Sequence, residues 1–125
     1  MLSLDDATSP KDERVKQLNR FNDREMFRID LRHIIGRIPF SSFSRELFDF
    51  ADVVVGEAAQ VARNALEETH GRPLLEDGRD CPWCICALGK FGGRELGFGS
   101  DVELLFVYED DGTTSRDPSV PNSVY

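Results

Sequence analysis

Two acidic residues on either side of one apolar residue, Asp101 and Glu103, are the side chains of this 125-residue chain best suited to bind a metal ion. In a β-strand alternate side chains lie on one face, so both carboxylates would point the same way, with Cα atoms about 6.6 Å apart. Mg²⁺ prefers a few carboxylates together with phosphate oxygens of a substrate. The pair therefore predicts half of a Mg-nucleotide site, although D-x-E alone is common and also fits an exposed face at the beginning of a strand.

A glycine-rich segment precedes the acidic pair. Gly89, Gly92 and Gly93 allow the backbone to turn sharply and to direct N–H groups at an anion, and Lys90 adds a positive charge. The segment is not a Walker A loop, because its lysine follows the first glycine. It is not a dinucleotide-binding fingerprint either, because no long helix follows it. Such glycines also occur in simple tight turns, but their position beside the acidic pair favours a phosphate-binding loop next to a metal site.

The segment 89–106 resembles the nucleotidyltransferase motif of glutamine synthetase adenylyltransferases, the bifunctional enzymes that add AMP to glutamine synthetase and remove it. The matching pattern is G-K-x-G-G-R-E-L-x-x-x-S-D, then an apolar residue, an acid, leucine, an apolar residue and phenylalanine. Upstream, RFNDREMFRIDLRHIIG and ADVVVGEAAQVA resemble two helices of the same family. The resemblance covers about residues 14–125, and its most specific part is the motif.

The resemblance implies that the glycine loop binds ATP, the nucleotide substrate. Gly92 and Gly93 would form the turn that holds the phosphates, and Gly89 and Lys90 belong to the same nucleotide-binding loop. Ser100 would either bind a phosphate oxygen or only cap the turn into the following strand, and the sequence leaves these two roles open.

The resemblance also implies that Asp101 and Glu103 are the catalytic and metal-binding acids. They would hold the Mg²⁺ ions of a two-metal site, which clamps the attacking and leaving oxygens of an in-line displacement. AMP would move from ATP to a tyrosine hydroxyl of glutamine synthetase, the protein substrate, or the AMP-tyrosine bond would be cleaved by phosphate. The motif does not distinguish these two directions.

Two features depart from the family pattern. Glu103 stands where the family usually has aspartate, and the extra C–C bond adds about 1.5 Å of reach. A third carboxylate, which the superfamily places on a later strand, has no counterpart, because the acids at 109–111 leave the strand into a turn and Asp117 lies in a loop. We therefore expect a fragment or a truncated gene product that binds Mg-ATP weakly and transfers no AMP alone. The alternative is a non-catalytic remnant that binds a nucleotide or a protein partner.

Three cysteines, Cys81, Cys84 and Cys86, form a C-x-x-C-x-C pattern. A structural zinc site needs four ligands, and the sequence offers neither a second C-x-x-C nor a histidine pair. A redox pair usually opens a helix, whereas this one leads into the strand-like segment WCICAL. We interpret the cysteines as small core residues at the start of a strand, with metal or thiol chemistry as the alternative.

Four arginines recur at every fourth position of the first predicted helix, at positions 20, 24, 28 and 32. This spacing places them in a stripe on one side of the helix. The stripe either binds a phosphate or a partner, or it is a solvated face paired with acids of the same helix. We favour the second interpretation, with the acids Asp23, Glu25 and Asp30.

The composition limits the function classes. The net charge is −8 with no basic tail, which argues against nucleic-acid binding through phosphates. No apolar run reaches the roughly 18 residues of a membrane helix, and the N-terminus lacks the apolar region of a signal peptide. We therefore expect a soluble, cytoplasmic protein that binds neither nucleic acid nor membrane.

The order of the predicted elements indicates an α+β fold, in which a helical region leads into a very small sheet. The resemblance implies that this sheet is the start of a small mixed sheet of the nucleotidyltransferase type. The predicted segments are a disordered N-terminus (1–12), a helical segment (13–80) and the first half of a nucleotidyltransferase domain (81–125). Within them we expect loose ends at 1–11 and 109–123, and a polar connection at 72–80. The predicted elements are a helix at 13–35, a second helix capped by Ser41 or Ser42, strands at 83–88 and 102–108, and a helical turn around 94–96.

Overall fold

The structure is a computed structural model that describes residues 10–125. Two long helices are followed by small pairs of strands, which confirms the predicted α+β class. The prediction of a loose N-terminus falls largely on residues 1–9, which lie outside the described residues, and the first helix begins at Pro10. Of the helices in the described part, none has both the length and the apolar character needed to cross a membrane. The elements are α1 Pro10–Ile34, α2 Phe40–His70, β1 Pro73–Leu75, β2 Trp83–Leu88, α3 Gly89–Gly92, β3 Glu103–Tyr108, β4 Gly112–Thr114 and a 3-10 helix Asn122–Val124.

The buried core lies where α1 and α2 pack against the loop that follows β2. Ile29 comes from α1, Phe43 and Leu47 come from α2, and Phe91 and Leu96 come from the loop. All five side chains are at most 5% exposed. Because Phe91 and Leu96 belong to the glycine-rich segment, the cluster that joins the helices also fixes that segment.

The arginine stripe of α1 is paired with acidic side chains. Arg28 Nε donates to Glu25 at 2.7 Å, and Arg24 lies 3.3 Å from the same carboxylate. Arg32 Nη1 donates to both carboxylate oxygens of Glu46 in α2, at 2.9 and 2.8 Å. The interpretation as a face paired with acids of the same helix is confirmed for Arg24 and Arg28, whereas Arg32 pairs with an acid of α2 that was not predicted.

Helix α2 begins at Phe40, so the predicted cap at Ser41 or Ser42 was wrong. Pro39 holds the N-cap position with φ −70° and ψ 161°, an extended conformation that the proline ring favours. Its carbonyl accepts the N–H groups of Ser42 and Phe43 at 3.1 and 3.0 Å. The proline therefore starts the helix without a side-chain cap.

The strands form two separate antiparallel pairs, β1 with β4 and β2 with β3. The bounds of β2 agree with the prediction, whereas β3 begins at Glu103, one residue later than predicted. The helical turn also differs, because it is α3, directly after β2, and not a turn around 94–96. Arg94 has φ 58°, in the left-handed region, so the right-handed helical backbone cannot continue through that position.

The pairing of β1 with β4 corrects two predictions. β1 lies in the segment 72–80, predicted as a polar connection, and β4 lies in the segment 109–123, predicted to be loose. The buried Asn122 side chain joins the two regions, because its Nδ2 donates to the carbonyls of Asp110 and Leu74 at 2.9 and 3.3 Å. Contacts between positions far apart in the sequence therefore order both segments.

Candidate functional site

The glycine-rich segment has a defined shape that hydrogen bonds hold. After β2 the chain makes the single helical turn α3, and the N–H of Gly93 donates to the carbonyl of Gly89 at 3.0 Å. The N–H of Arg94 donates to Phe91, and that of Glu95 to Lys90, at 3.1 and 2.8 Å. These three N–H groups are therefore occupied in this conformation. The side chain of Lys90 in the same turn is exposed to solvent.

Gly92 is required by close backbone packing. A Cβ atom at this position would lie far inside van der Waals contact of the carbonyl oxygen of Ala87 in β2. Gly93 differs, because its φ of −78° is open to any residue and a Cβ there would meet the Gly89 carbonyl oxygen at 3.4 Å. Of the two predicted turn glycines, Gly92 is thus the one for which the structure leaves no room for a side chain.

Glu103 lies beside the beginning of the glycine loop. In the antiparallel pairing of β2 with β3, Glu103 is opposite Leu88, the last residue before the loop. Its carboxylate occupies the space next to Gly89 that a Cβ atom would otherwise take. Gly89 also has φ 54°, which favours glycine. Register and backbone conformation together bring an exposed carboxylate against the predicted nucleotide loop.

Asp101 is exposed and lies two residues ahead of β3. The strand-alternation argument for a shared face therefore covers Glu103 but not Asp101. Strand alternation would place Val102 and Leu104 on the core face. Val102 is instead 44% exposed, whereas Leu104 is half-buried and packs against the core.

Ser100 makes the contact expected of a turn cap. Its Oγ accepts the N–H of Gly97 at 2.9 Å, and its own N–H donates to the Gly97 carbonyl at 3.2 Å. This exchange closes the turn that leads to Asp101. The hydroxyl hydrogen is not used in either bond, so a second contact from Ser100 is compatible with the turn.

No group of three or more His, Cys, Asp or Glu side chains within residues 10–125 is arranged to hold a metal ion. The later acids make local contacts instead. Asp111 accepts the Tyr108 hydroxyl at 2.9 Å, and Asp117 accepts the Ser119 hydroxyl at 2.6 Å. The hydrogen bond from Ser119 lowers the pKa of Asp117. Of the two predicted metal-binding acids, Glu103 is the one that adjoins the glycine loop, and Asp101 lies two residues before it in the chain.

The three cysteines are free and differ in their surroundings. Cys81 is buried, as predicted, and its thiol lies 3.6 Å from the carbonyl oxygen of Asp110. Cys84 is exposed, so the interpretation as a core residue was wrong for it, and Cys86 is half-buried. The Sγ atoms of Cys84 and Cys86 are 3.9 Å apart, and the neighbouring thiol of Cys86 raises the pKa of Cys84.

The sequence matches the family described as glutamate-ammonia ligase adenylyltransferase over residues 3–124. The chain belongs to this family. The bifunctional glutamine synthetase adenylyltransferase/adenylyl-removing enzyme of Thioalkalivibrio sulfidiphilus is 32% identical over 89% of the chain and 11% of its own length. Proteins of the same name from Acinetobacter baylyi and Pseudomonas aeruginosa are 39% and 32% identical, over 63% and 80% of the chain. They are matched over 8% and 10% of their own lengths, and no solved structure matches significantly.

This assignment confirms the resemblance to glutamine synthetase adenylyltransferases that the motif indicated. The chain spans about a tenth of the length of the adenylyltransferases it matches. The matched segment contains both the glycine loop and the acidic pair.

A groove beside Ser100 was not predicted from the motif. It has a volume of about 350 Å³ and lies between the two long helices and the loop 96–102. Met26, Phe50 and Val54 supply much of its apolar wall. The signal in the sequence was the helical spacing of the apolar residues of α2, which predicted the helix but not an open groove next to the loop.

Proposed function

We propose that this chain supplies part of the Mg-ATP site of a nucleotidyltransferase, which moves AMP to or from a tyrosine of glutamine synthetase. The observation that carries the proposal is the position of Glu103, whose carboxylate fills the space beside Gly89. A candidate metal ligand thus adjoins the loop assigned to the nucleotide. The printed names of the relatives support the choice of glutamine synthetase as the protein substrate.

The residues fit the proposed ligands by their chemistry. Asp101 and Glu103 offer exposed carboxylate oxygens, the ligand type that Mg²⁺ prefers, and substrate phosphates would complete its coordination. Mg²⁺ held there would neutralise negative charge that develops on phosphate oxygens during transfer. Lys90 would contribute a second positive charge, and Gly89 and Gly92 would let the nucleotide approach the backbone closely.

A second function, a remnant that binds without catalysing, is favoured by one observation. The structure brings Glu103 to the glycine loop, with Asp101 two residues earlier, and shows no group of three or more metal-binding side chains among residues 10–125, whereas the family pattern calls for a third acid from a later strand. Two acids support metal-nucleotide binding better than they support an in-line displacement between two metal ions. We therefore expect the 125-residue chain to bind Mg-ATP weakly and to transfer no AMP alone.

Removal of either acid of the pair should weaken nucleotide binding. Asp101→Asn and Glu103→Gln should each weaken Mg-ATP binding by at least about tenfold, which is about 1.4 kcal/mol, because each removes a charged metal ligand. The matched control is Glu57→Gln, an exposed acid on α2, which should leave the affinity unchanged. Isothermal titration of each variant with ATP, with and without Mg²⁺, measures the effect.

Equal affinity in all four proteins would contradict the assignment of the acids. Affinity that does not depend on Mg²⁺ would contradict the metal site itself. The second step is a transfer assay with labelled ATP and purified glutamine synthetase. Label on glutamine synthetase would contradict the hypothesis of a non-catalytic remnant and the expectation that the chain alone is inactive.

A further inference from the structure

Two thiols lie side by side on one face of the β2–β3 hairpin. Cys84 and Cys86 are two residues apart in β2, so their side chains point to the same face of the strand. Their Sγ atoms are 3.9 Å apart and neither forms a disulfide. Cys84 is exposed, which makes the pair accessible from solvent.

The face that carries the thiols points away from the helical core. Across the strand pair Cys84 is opposite Val107 and Cys86 is opposite Leu105, so these four side chains share a face. Val107 and Leu105 are 43% and 49% exposed. Leu104, on the other face, packs against the core. The thiols therefore lie in an apolar but open environment.

The strand geometry disfavours a disulfide between the two cysteines. Residues two apart in an antiparallel strand have Cα atoms about 6.8 Å apart, at the upper limit for a disulfide. The side chains also stand parallel to each other, whereas a disulfide needs Cβ atoms about 3.8 Å apart. The pair thus persists as a dithiol while the hairpin is intact.

The number and type of ligands select the kind of cation. Zinc in structural sites takes four ligands, and no group of three or more metal-binding side chains occurs in the part of the chain that the structure describes. Soft thiolates favour Cu(I), a monovalent ion that accepts low coordination numbers. We propose that Cys84 and Cys86 form a two-thiolate binding site for Cu(I). On binding, each thiol loses its proton to solvent and forms one S–Cu bond, and the copper stays in the +1 state.

The test is an anaerobic titration of the full chain with Cu(I) in competition with the chelator bicinchoninate. The chain should retain one copper ion, and Cys84→Ser and Cys86→Ser should each lose it. Cys81→Ser is the matched control, because it removes the third thiol, which is buried and lies outside β2, and it should keep the copper. Circular dichroism of each variant verifies that it is folded.

A second measurement needs no variant. Alkylation of the wild-type chain, followed by peptide mass spectrometry, should show that Cu(I) protects both Cys84 and Cys86. Failure of the chain to retain copper against the chelator would overturn the proposal. Copper retained by either of the two serine variants, or alkylation of the pair unaffected by Cu(I), would overturn it as well.

Discussion

Replacing Phe43 with alanine should lower the free energy of unfolding by about 3–5 kcal/mol, the usual range for a buried phenylalanine. Phe43 is 0% exposed and belongs to the cluster that joins α1, α2 and the glycine loop. Its ring stacks on His33 with centroids 4.4 Å apart and lies 4.5 Å from the ring of Phe98. The truncation would leave a cavity among these rings. Urea denaturation followed by circular dichroism measures the loss.

The control for this substitution is Phe27→Ala, because Phe27 is on α1 and is 68% exposed. It should change the free energy of unfolding by at most about 0.5 kcal/mol, as is usual at the surface. If the alanine variant at position 43 is too unstable to measure, Phe43→Leu should show a smaller loss in the same direction. Equal stability of the variants at positions 27 and 43 would contradict the assignment of the core.

The second large effect is expected at Gly92. Gly92→Ala should destabilise the chain by about 1–3 kcal/mol, the usual cost of forcing extra atoms into packed structure. The added methyl group would collide with the carbonyl oxygen of Ala87, a backbone atom that cannot rotate away. The loop must therefore shift, and the affinity for Mg-ATP should fall together with the stability. Urea denaturation and isothermal titration of the same preparation measure both effects.

Substitution of a second glycine, at a position with room for a side chain, distinguishes the effect of a packing collision from the effect of alanine on backbone entropy. Gly56 lies in α2, and a Cβ atom there would have no atom within 4 Å. Gly56→Ala should therefore stabilise the chain by about 0.5–1 kcal/mol through its helix propensity. A destabilised Gly56→Ala, or a Gly92→Ala as stable as the wild type, would contradict this account of the loop.

The elements with strong periodic patterns could be predicted from the sequence. The apolar spacing of α1 and α2 indicated the two helices, with boundaries that differ by a few residues, and the run 83–88 indicated β2 with the bounds it has. The start of α2 was misplaced, because the fixed backbone of Pro39 begins the helix and the serines that favour a cap follow it. Local patterns thus identified the elements better than their ends.

The β1–β4 pair could not be predicted by the same reasoning. Both strands are three residues long, and β4 lies in a polar segment rich in turn residues. The pairing of the two strands is supported by Asn122, whose side chain donates a hydrogen bond to the carbonyl of Leu74, 48 residues earlier in the chain. Local sequence patterns cannot relate two residues so far apart, so the local composition suggested loops.

The candidate site was predictable in its residues but not in its geometry. The motif identified Gly89 and Glu103 separately, but the contact between them depends on the pairing of Leu88 with Glu103 across two strands. The sequence left the role of Ser100 open, and the structure shows its hydroxyl in the turn. The exposed dithiol was not predicted, because the C-x-x-C spacing pairs Cys81 with Cys84, whereas in the structure the thiols of Cys84 and Cys86 are the ones in contact.

A two-dimensional NMR titration of the ¹⁵N-labelled chain with ATP would show residue by residue where the nucleotide binds. We expect Mg²⁺-dependent shifts of the amide signals of residues 89–93 and 100–103, with the far end of α2 unchanged. Shifts confined to other surfaces, or the same shifts without Mg²⁺, would contradict a metal-nucleotide site built from the glycine loop and the two acids.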